Sequence, residues 1–351
     1  MQMVRLRRTS SREVVAVTGA GSGLGRALIE RLARRGDLAG LIGLDVCPAR
    51  VDGVEWRTLD VGVPLLSERL AGASTVVHLA TTYDVSLPGL TRRALNVRGT
   101  AQLLEAAREV GAARVVLCTS VDVYGAFPDN PVPLLDRAPL RGVADDETLA
   151  GDHVEVERLA DHARRSGLSV TVLRPAPLVG LSAAYDGQVL RQLGAPRLLA
   201  VRGVEPLWQL CHVDDLLAAL ELAALGTVTG GLAVGCEGAL PQVLVEQESG
   251  RRRLELPATV ALSTAARLHK AGVTTASVRE LDHLFGPLVV AADGLLAAGW
   301  KPSWTNEEAL RAHLRMRVED GRSSVYSAAG ATVALLGTAA LVRSARRRRR
   351  I

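Results

Sequence analysis

Val14-Val15-Ala16-Val17-Thr18-Gly19-Ala20-Gly21-Ser22-Gly23-Leu24-Gly25 is the stretch that decides the fold. Its first five residues are β-branched or apolar and predict a buried strand. The glycines let the chain turn tightly and leave room for a bulky group against the backbone. Residues 25–35 carry a helical pattern, so a helix N-terminus with free N–H groups and partial positive charge follows the turn. A second apolar run, 41–45, ends on Asp45, twenty residues beyond Gly25. A carboxylate there can accept hydrogen bonds from both hydroxyls of an adenosine ribose and would repel a phosphate on it. Strand, glycine loop, helix and acid together predict a dinucleotide site that prefers NAD to NADP. A tight turn followed by a surface aspartate is the plainer alternative.

The same alternation continues outward. Residues 54–59, 75–80, 115–120 and 169–174 read as strands that are apolar on both faces, as in a sheet covered by helices on both sides. Residues 91–110 and 148–165 read as helices, and Leu95, Leu103, Leu104 and Ala107 share one face of the first. The pattern predicts an α/β fold: a Rossmann-type doubly wound parallel sheet, a smaller α+β substrate-side domain and a C-terminal hydrophobic helix. We assign 1–12 to a disordered N-terminus and 13–180 to the NAD-binding domain, continued by about 205–240. Residues 181–204 and 241–320 form the substrate-side domain. Within it, Thr305 and Glu308 make a capping box ahead of the last helix of the body. The proline-rich loop 127–146 is long enough to be functional.

Composition narrows the function. The chain has 351 residues, 48% hydrophobic and 23% charged, which excludes disordered and multi-span membrane classes. Its net charge of +5 is a property of the end: six arginines lie in the last nine residues, and without them the balance is −1. The body therefore lacks the bulk charge for nucleic acid, and no nucleic-acid partner is expected. Only two lysines occur, Lys270 and Lys301. The four cysteines, Cys47, Cys118, Cys211 and Cys236, match no metal spacing and predict reduced thiols in the cytoplasm. No metal is expected.

Further motifs appear in order: Asp60-Val61, His78-Leu79-Ala80, Asn96-Val97-Arg98-Gly99-Thr100, Thr119-Ser120-Val121-Asp122-Val123-Tyr124-Gly125, Arg174-Pro175-Ala176-Pro177-Leu178-Val179-Gly180 and His212-Val213-Asp214-Asp215-Leu216. With the glycine loop they make the chain resemble the extended short-chain dehydrogenase/reductase family, the NAD-dependent epimerase/dehydratases, over residues 13–316. The resemblance implies that Gly19, Gly21, Ser22, Gly23, Leu24 and Gly25 hold the dinucleotide with Asp45. It places Asp60 and Val61 beside the adenine and Leu79 and Ala80 on the nicotinamide side. Asn96 becomes a structural residue of the site, Pro175 a further cofactor contact, and Ser120 the partner of the reacting substrate oxygen. It also implies a homodimer through the helices at 91–110 and 148–165.

The catalytic pattern of that family fails here. Its chemistry needs a Tyr and a Lys four residues apart on one helix face, the first to shuttle a proton and the second to lower its pKa. Aligning Glu157-Arg158 with the family's usual Glu-Arg puts Leu149 at the tyrosine position and His153 at the lysine position. No Tyr of the chain is followed by a Lys four residues later. Pro177 also stands where nucleotide-sugar epimerases usually carry an asparagine. His153 could titrate near neutrality, or be a half-exposed helix residue with no role. Tyr124, Tyr83 and Asp122 are further candidates for a relocated proton donor. His78 and His212 read as braces of strand and helix ends, and Trp208 as packing. Two functions remain: a catalytically silent NAD-binding protein that uses its cleft for a small molecule or a protein partner, and an active epimerase, dehydratase or reductase on a nucleotide sugar or related alcohol.

Residues 325–342 form an uncharged run just long enough to span a membrane, but rich in Ala, Gly, Ser and Thr. If it spanned, the arginines at 343–351 would lie opposite the NAD-binding body, against the positive-inside tendency. Lying at an anionic membrane surface avoids that conflict. The expected location is cytoplasmic, with the cytoplasmic face of a membrane as an alternative.

Overall fold

A computed structural model describes residues 13–319 except 22, 59–65, 86, 146–147, 183–184 and 272–277. Ser22, Asp60, Val61, the N-terminal segment 1–12, the hydrophobic run 325–342 and the arginine tail therefore lie outside the described residues.

Seven parallel strands form the main sheet: β1 (Val14–Thr18), β2 (Gly40–Asp45), β3 (Glu55–Thr58), β4 (Thr75–His78), β5 (Arg114–Cys118), β6 (Ser169–Pro175) and, at the far edge, Gly230–Val234. Their spatial order is β3-β2-β1-β4-β5-β6 and then the edge strand. Residues of β1 alternate between two cores, as the pleat requires. Val15 and Val17 pack with Leu24, Leu28, Leu216 and Leu220 on one side. Ala16 packs with Leu103, Leu104, Val156 and Ala160 on the other. Strand order reverses between β1 and β4, which opens a crevice beyond their C-terminal ends.

The helices differ from expectation at two informative places. Helix α1 (Gly23–Ala33) begins two residues earlier than the pattern at 25–35 suggests, so Gly23 and Leu24 belong to its first turn. The helix expected at 91–110 is broken into α2 (Gly89–Arg93), one π-helical turn (Ala94–Arg98) and α3 (Gly99–Glu109). The wide turn falls where the Asn96 side chain bonds the loop after β4, accepting from Thr82 N at 2.8 Å and donating to Thr82 O at 3.0 Å. Helix α4 (Leu149–Arg165) is capped by Thr148, whose Oγ1 accepts the Gly151 N–H at 2.9 Å.

Beyond β6 a smaller layer gathers on one end. Arg197–Val201 and Arg252–Leu256 pair in parallel. The helix Asn306–Glu319 closes over a core that includes Leu190, Leu198, Trp208 and Val245. Its capping box is present: Glu308 Oε2 accepts the Thr305 N–H at 3.0 Å. The proline-rich loop is pinned to this end, with Leu134 N donating to Val289 O at 2.7 Å.

Glu157 of α4 grips Arg174 of β6 through two bonds, Oε1 to Nε at 2.7 Å and Oε2 to Nη2 at 2.9 Å. Both side chains are almost fully buried. Replacing one partner strands the other charge, an effect of about 3–5 kcal/mol. Glu157→Ala is therefore expected to lower the urea unfolding free energy by about that amount. Breaking the exposed Arg158–Glu155 pair with Arg158→Ala should shift it by less than about 1 kcal/mol. Equal effects would contradict this assignment.

Candidate functional site

The glycine loop packs so closely on its neighbours that side chains would collide there. Gly19 has φ +71°, and a Cβ there would lie 2.6 Å from Leu79 O. A Cβ on Gly25 would run into the Gly19 carbonyl, and one on Gly21 into Cys47 O and the Asp45 carboxyl. Asp45 ties the rim together: Oδ2 accepts the Gly21 N–H and Oδ1 the Cys47 N–H, each at 2.9 Å. Behind the loop, Thr18 Oγ1 bonds His78 Nδ1 at 2.7 Å and accepts from Leu79 N and Ala80 N at 3.2 and 3.3 Å. Gly19, Gly21, Gly23, Leu24, Gly25, Asp45, Leu79 and Ala80 thus share one crevice.

Tyr185 is the residue that sequence reasoning missed. Its hydroxyl accepts the Leu24 N–H at 3.2 Å, at the start of α1, and presses on Gly23. Its ring lies 5.7 Å from that of Tyr83, which lies 5.7 Å from the His153 ring. The available signal was its place just past Gly180, in the stretch assigned to the substrate-side domain, in a chain with four tyrosines.

A cavity of about 340 Å³ adjoins the crevice, reached by Ser120, Asp122, Leu149, His153, Pro175 and Tyr185. Ser120 Oγ donates to Asp122 Oδ2 at 2.9 Å and accepts the Asp122 N–H at 3.1 Å. Burial pushes the Asp122 carboxyl above its ordinary range, opposed by the Ser120 hydrogen bond. Tyr83 donates weakly to Cys118 Sγ and Thr119 O, both at 3.4 Å. Burial holds its phenol well above the usual value, which makes it a poor acid.

Two expectations need correction. His153 is neither half-exposed nor titratable near neutrality. It is 4% exposed, and burial with the nearby Arg92 charge pushes its pKa down to about 3. Tyr124 does not reach the cavity. It lies in the core, where its hydroxyl accepts from Arg174 Nη1 at 3.0 Å and donates to Asp136 O at 3.3 Å. Asn96 and Arg92 instead brace α4 from behind, with Arg92 Nε donating to the buried Asp152 at 2.8 Å. His212 caps its helix by accepting the Asp214 N–H, and Trp208 packs while donating to Gln242 at 2.7 Å. Among the described residues no three His, Cys, Asp or Glu side chains gather to hold a metal, and no helix is long and apolar enough to cross a membrane.

A match to the NAD dependent epimerase/dehydratase family runs over residues 15–231. The chain belongs to that family. It is 29% identical over 321 residues to an uncharacterized protein of Mycobacterium tuberculosis, covering 87% of this chain and 84% of that one. It is 31% identical over 229 residues to a 3-diazoavenalumate denitrifying reductase of Streptomyces sp, covering 63% of this chain and 75% of the reductase. The UDP-glucose 4-epimerase of Thermus thermophilus, solved in complex with NAD, superposes with a TM-score of 0.61 at 20% identity, covering 86% of this chain and 98% of the epimerase. As an epimerase/dehydratase family member, the chain has the parallel sheet of such structures, and Leu149 and His153 lie on α4 at the edge of the cavity.

His78, His153 and His313 are all held neutral by burial, with pKa values near 4, 3 and 4. Each folded pKa lies below the unfolded value of about 6.5. Between those limits the unfolded chain binds the extra protons, so stability is full above about pH 6.5 and falls as pH drops. Urea denaturation at pH 7 and pH 5 is expected to show this loss, and His153→Leu is expected to reduce it. A pH-independent unfolding free energy would contradict the neutral assignments.

Proposed function

We propose that this protein binds NAD in the glycine crevice and a small molecule against Ser120, without the family's hydride turnover. The cradle fits the coenzyme on its own geometry. Gly19, Gly21 and Gly25 let the loop backbone fold tightly against Leu79, Cys47 and its own first turn, bordering the crevice beyond β1 and β4. The Leu24 N–H opens α1 toward that crevice, and Asp45 stands at its rim. Those residues would hold the pyrophosphate and adenosine ribose, and the Tyr185 hydroxyl must yield the Leu24 N–H to a phosphate oxygen. NAD-complexed neighbours of the same fold support the choice of coenzyme.

Bound NAD would supply a hydride acceptor; the proton has to be handled by the chain. The observation that carries the silent reading is the α4 face. Leu149 has no proton to give, and the neutral His153 offers no positive charge to activate a phenol. The nearest phenol, Tyr83, is itself held protonated by burial.

The Ser120–Asp122 pair favours a second reading, reduction of a carbonyl. In it bound NADH would supply the hydride to the carbonyl carbon, while the Asp122 carboxyl passes its proton through the Ser120 hydroxyl to the substrate oxygen. The raised carboxyl would then have to be protonated, so turnover would fall as pH rises.

Purified protein supplied with NADH and ketones, or NAD and alcohols, decides between the two. Unchanged reduced-nicotinamide absorbance alongside measurable coenzyme binding is expected. Turnover that Ser120→Ala or Asp122→Asn lowers by about a hundredfold or more would overturn the silent reading and install the second.

A further inference from the structure

We propose that the pocket beside Ser120 takes an uncharged, ring-bearing ketone or the corresponding alcohol, and not a nucleoside-diphosphate sugar. This rests on reading the cavity as a ligand site next to NAD.

The walls argue first. The chain contains two phenylalanines in 351 residues, Phe127 and Phe285, and both line this cavity. Their segments are brought together on purpose-shaped backbone: a Cβ on Gly286 would collide with the main chain of Phe127. Leu149, Leu178, Val189 and Leu288 complete an apolar surround. Aromatic and aliphatic walls of this kind contribute by burying a ligand's hydrocarbon and by ring-to-ring contact.

Charge argues second. A diphosphate needs cations or free backbone N–H groups. The cavity is reached by two arginines, Arg141 and Arg279, and both face carboxylates. Arg141 Nη1 bonds Asp129 Oδ1 at 3.0 Å while its guanidinium covers the Phe127 ring at 4.1 Å. Arg279 Nη1 lies 3.8 Å from Asp145 Oδ2. Asp122, Asp145 and Asp282 also line the cavity, so among the described residues its lining carries no surplus positive charge for a phosphate. The helix start nearest the pocket is already capped by Thr148, and the turn after Ser120 by Ser120 itself. Pro177, which lines the wall, has no N–H to offer.

The polar floor argues third. Ser120 and Asp122 form one compact hydrogen-bonding end between the apolar walls, apart from the paired Arg141 and Arg279. That end suits a single carbonyl or hydroxyl oxygen. A sugar with several hydroxyls would leave most of them buried against hydrocarbon without partners, at a penalty for each.

The test is calorimetric titration of the full chain, saturated with NAD, with 2-tetralone and separately with UDP-glucose. Saturable binding of the tetralone, at least tenfold tighter than UDP-glucose, is expected. Phe285→Ala should weaken tetralone at least tenfold and leave NAD affinity unchanged. Should that variant fail to fold, Phe285→Leu is expected to weaken it about threefold. UDP-glucose binding as tightly as tetralone, no tetralone binding, or full tetralone affinity in the folded Phe285 variants would each overturn the proposal. The NAD titration is read by itself: a protein that binds tetralone but never NAD refutes the coenzyme reading and leaves the ligand class standing.

Discussion

The close approach of backbone to backbone at the first crossover is the constraint on which the rest of the structure depends. The chain leaves β1 at Thr18, turns through Gly19 and enters α1 so tightly that Gly25 lies under the Gly19 carbonyl and Gly19 against Leu79. Only residues without Cβ atoms permit this. The tight turn brings α1 onto the sheet, where Leu24 and Leu28 join Val15 and Val17 in one core. It also fixes the crevice between β1 and β4, because Thr18 Oγ1 reaches the amides that follow β4. Fold and site share one cause: the tight turn that the glycines permit also sets the start of α1 at the crevice a dinucleotide phosphate would use.

On the far side of the same crevice, buried ion pairs fix the helix that borders the cavity. Arg174 and Glu157 hold α4 to β6, and Arg92 and Asp152 hold it to the helix beneath. The helix is thus rigidly presented, as a catalytic helix should be, yet it presents leucine and a neutral imidazole. Buried charge holds the helix in position, while the cavity combines apolar walls, the Ser120–Asp122 end and arginines already paired with carboxylates.

Much of this was legible in the sequence. The strands were readable because buried parallel strands are apolar on both faces, and the cradle because glycine spacing, helix start and Asp45 follow one another at short range. The missing Tyr-Lys pair was readable from residue type alone. What was not legible depends on distant neighbours. The π turn at Asn96 is set by bonds to Thr82, and the burial of His153 by the packing of α4 against the sheet. Tyr124 belongs to a motif, but its direction is settled by Arg174, fifty residues away. Tyr185 meets Leu24 across 161 positions, a contact no local pattern announces.

Calorimetric titration of NAD into the wild-type chain and into Gly21→Ala tests the central claim most directly. Gly21 has an ordinary φ, so alanine there meets no conformational strain, but its Cβ would lie 2.4 Å from Cys47 O and 2.7 Å from Asp45 Cγ and must displace the cradle rim locally, away from the sheet. The account predicts saturable NAD binding by the wild type, weaker binding of NADP, and a loss of at least tenfold in the variant with an unchanged circular dichroism spectrum. No heat with NAD, or equal affinity in the two proteins, would contradict it.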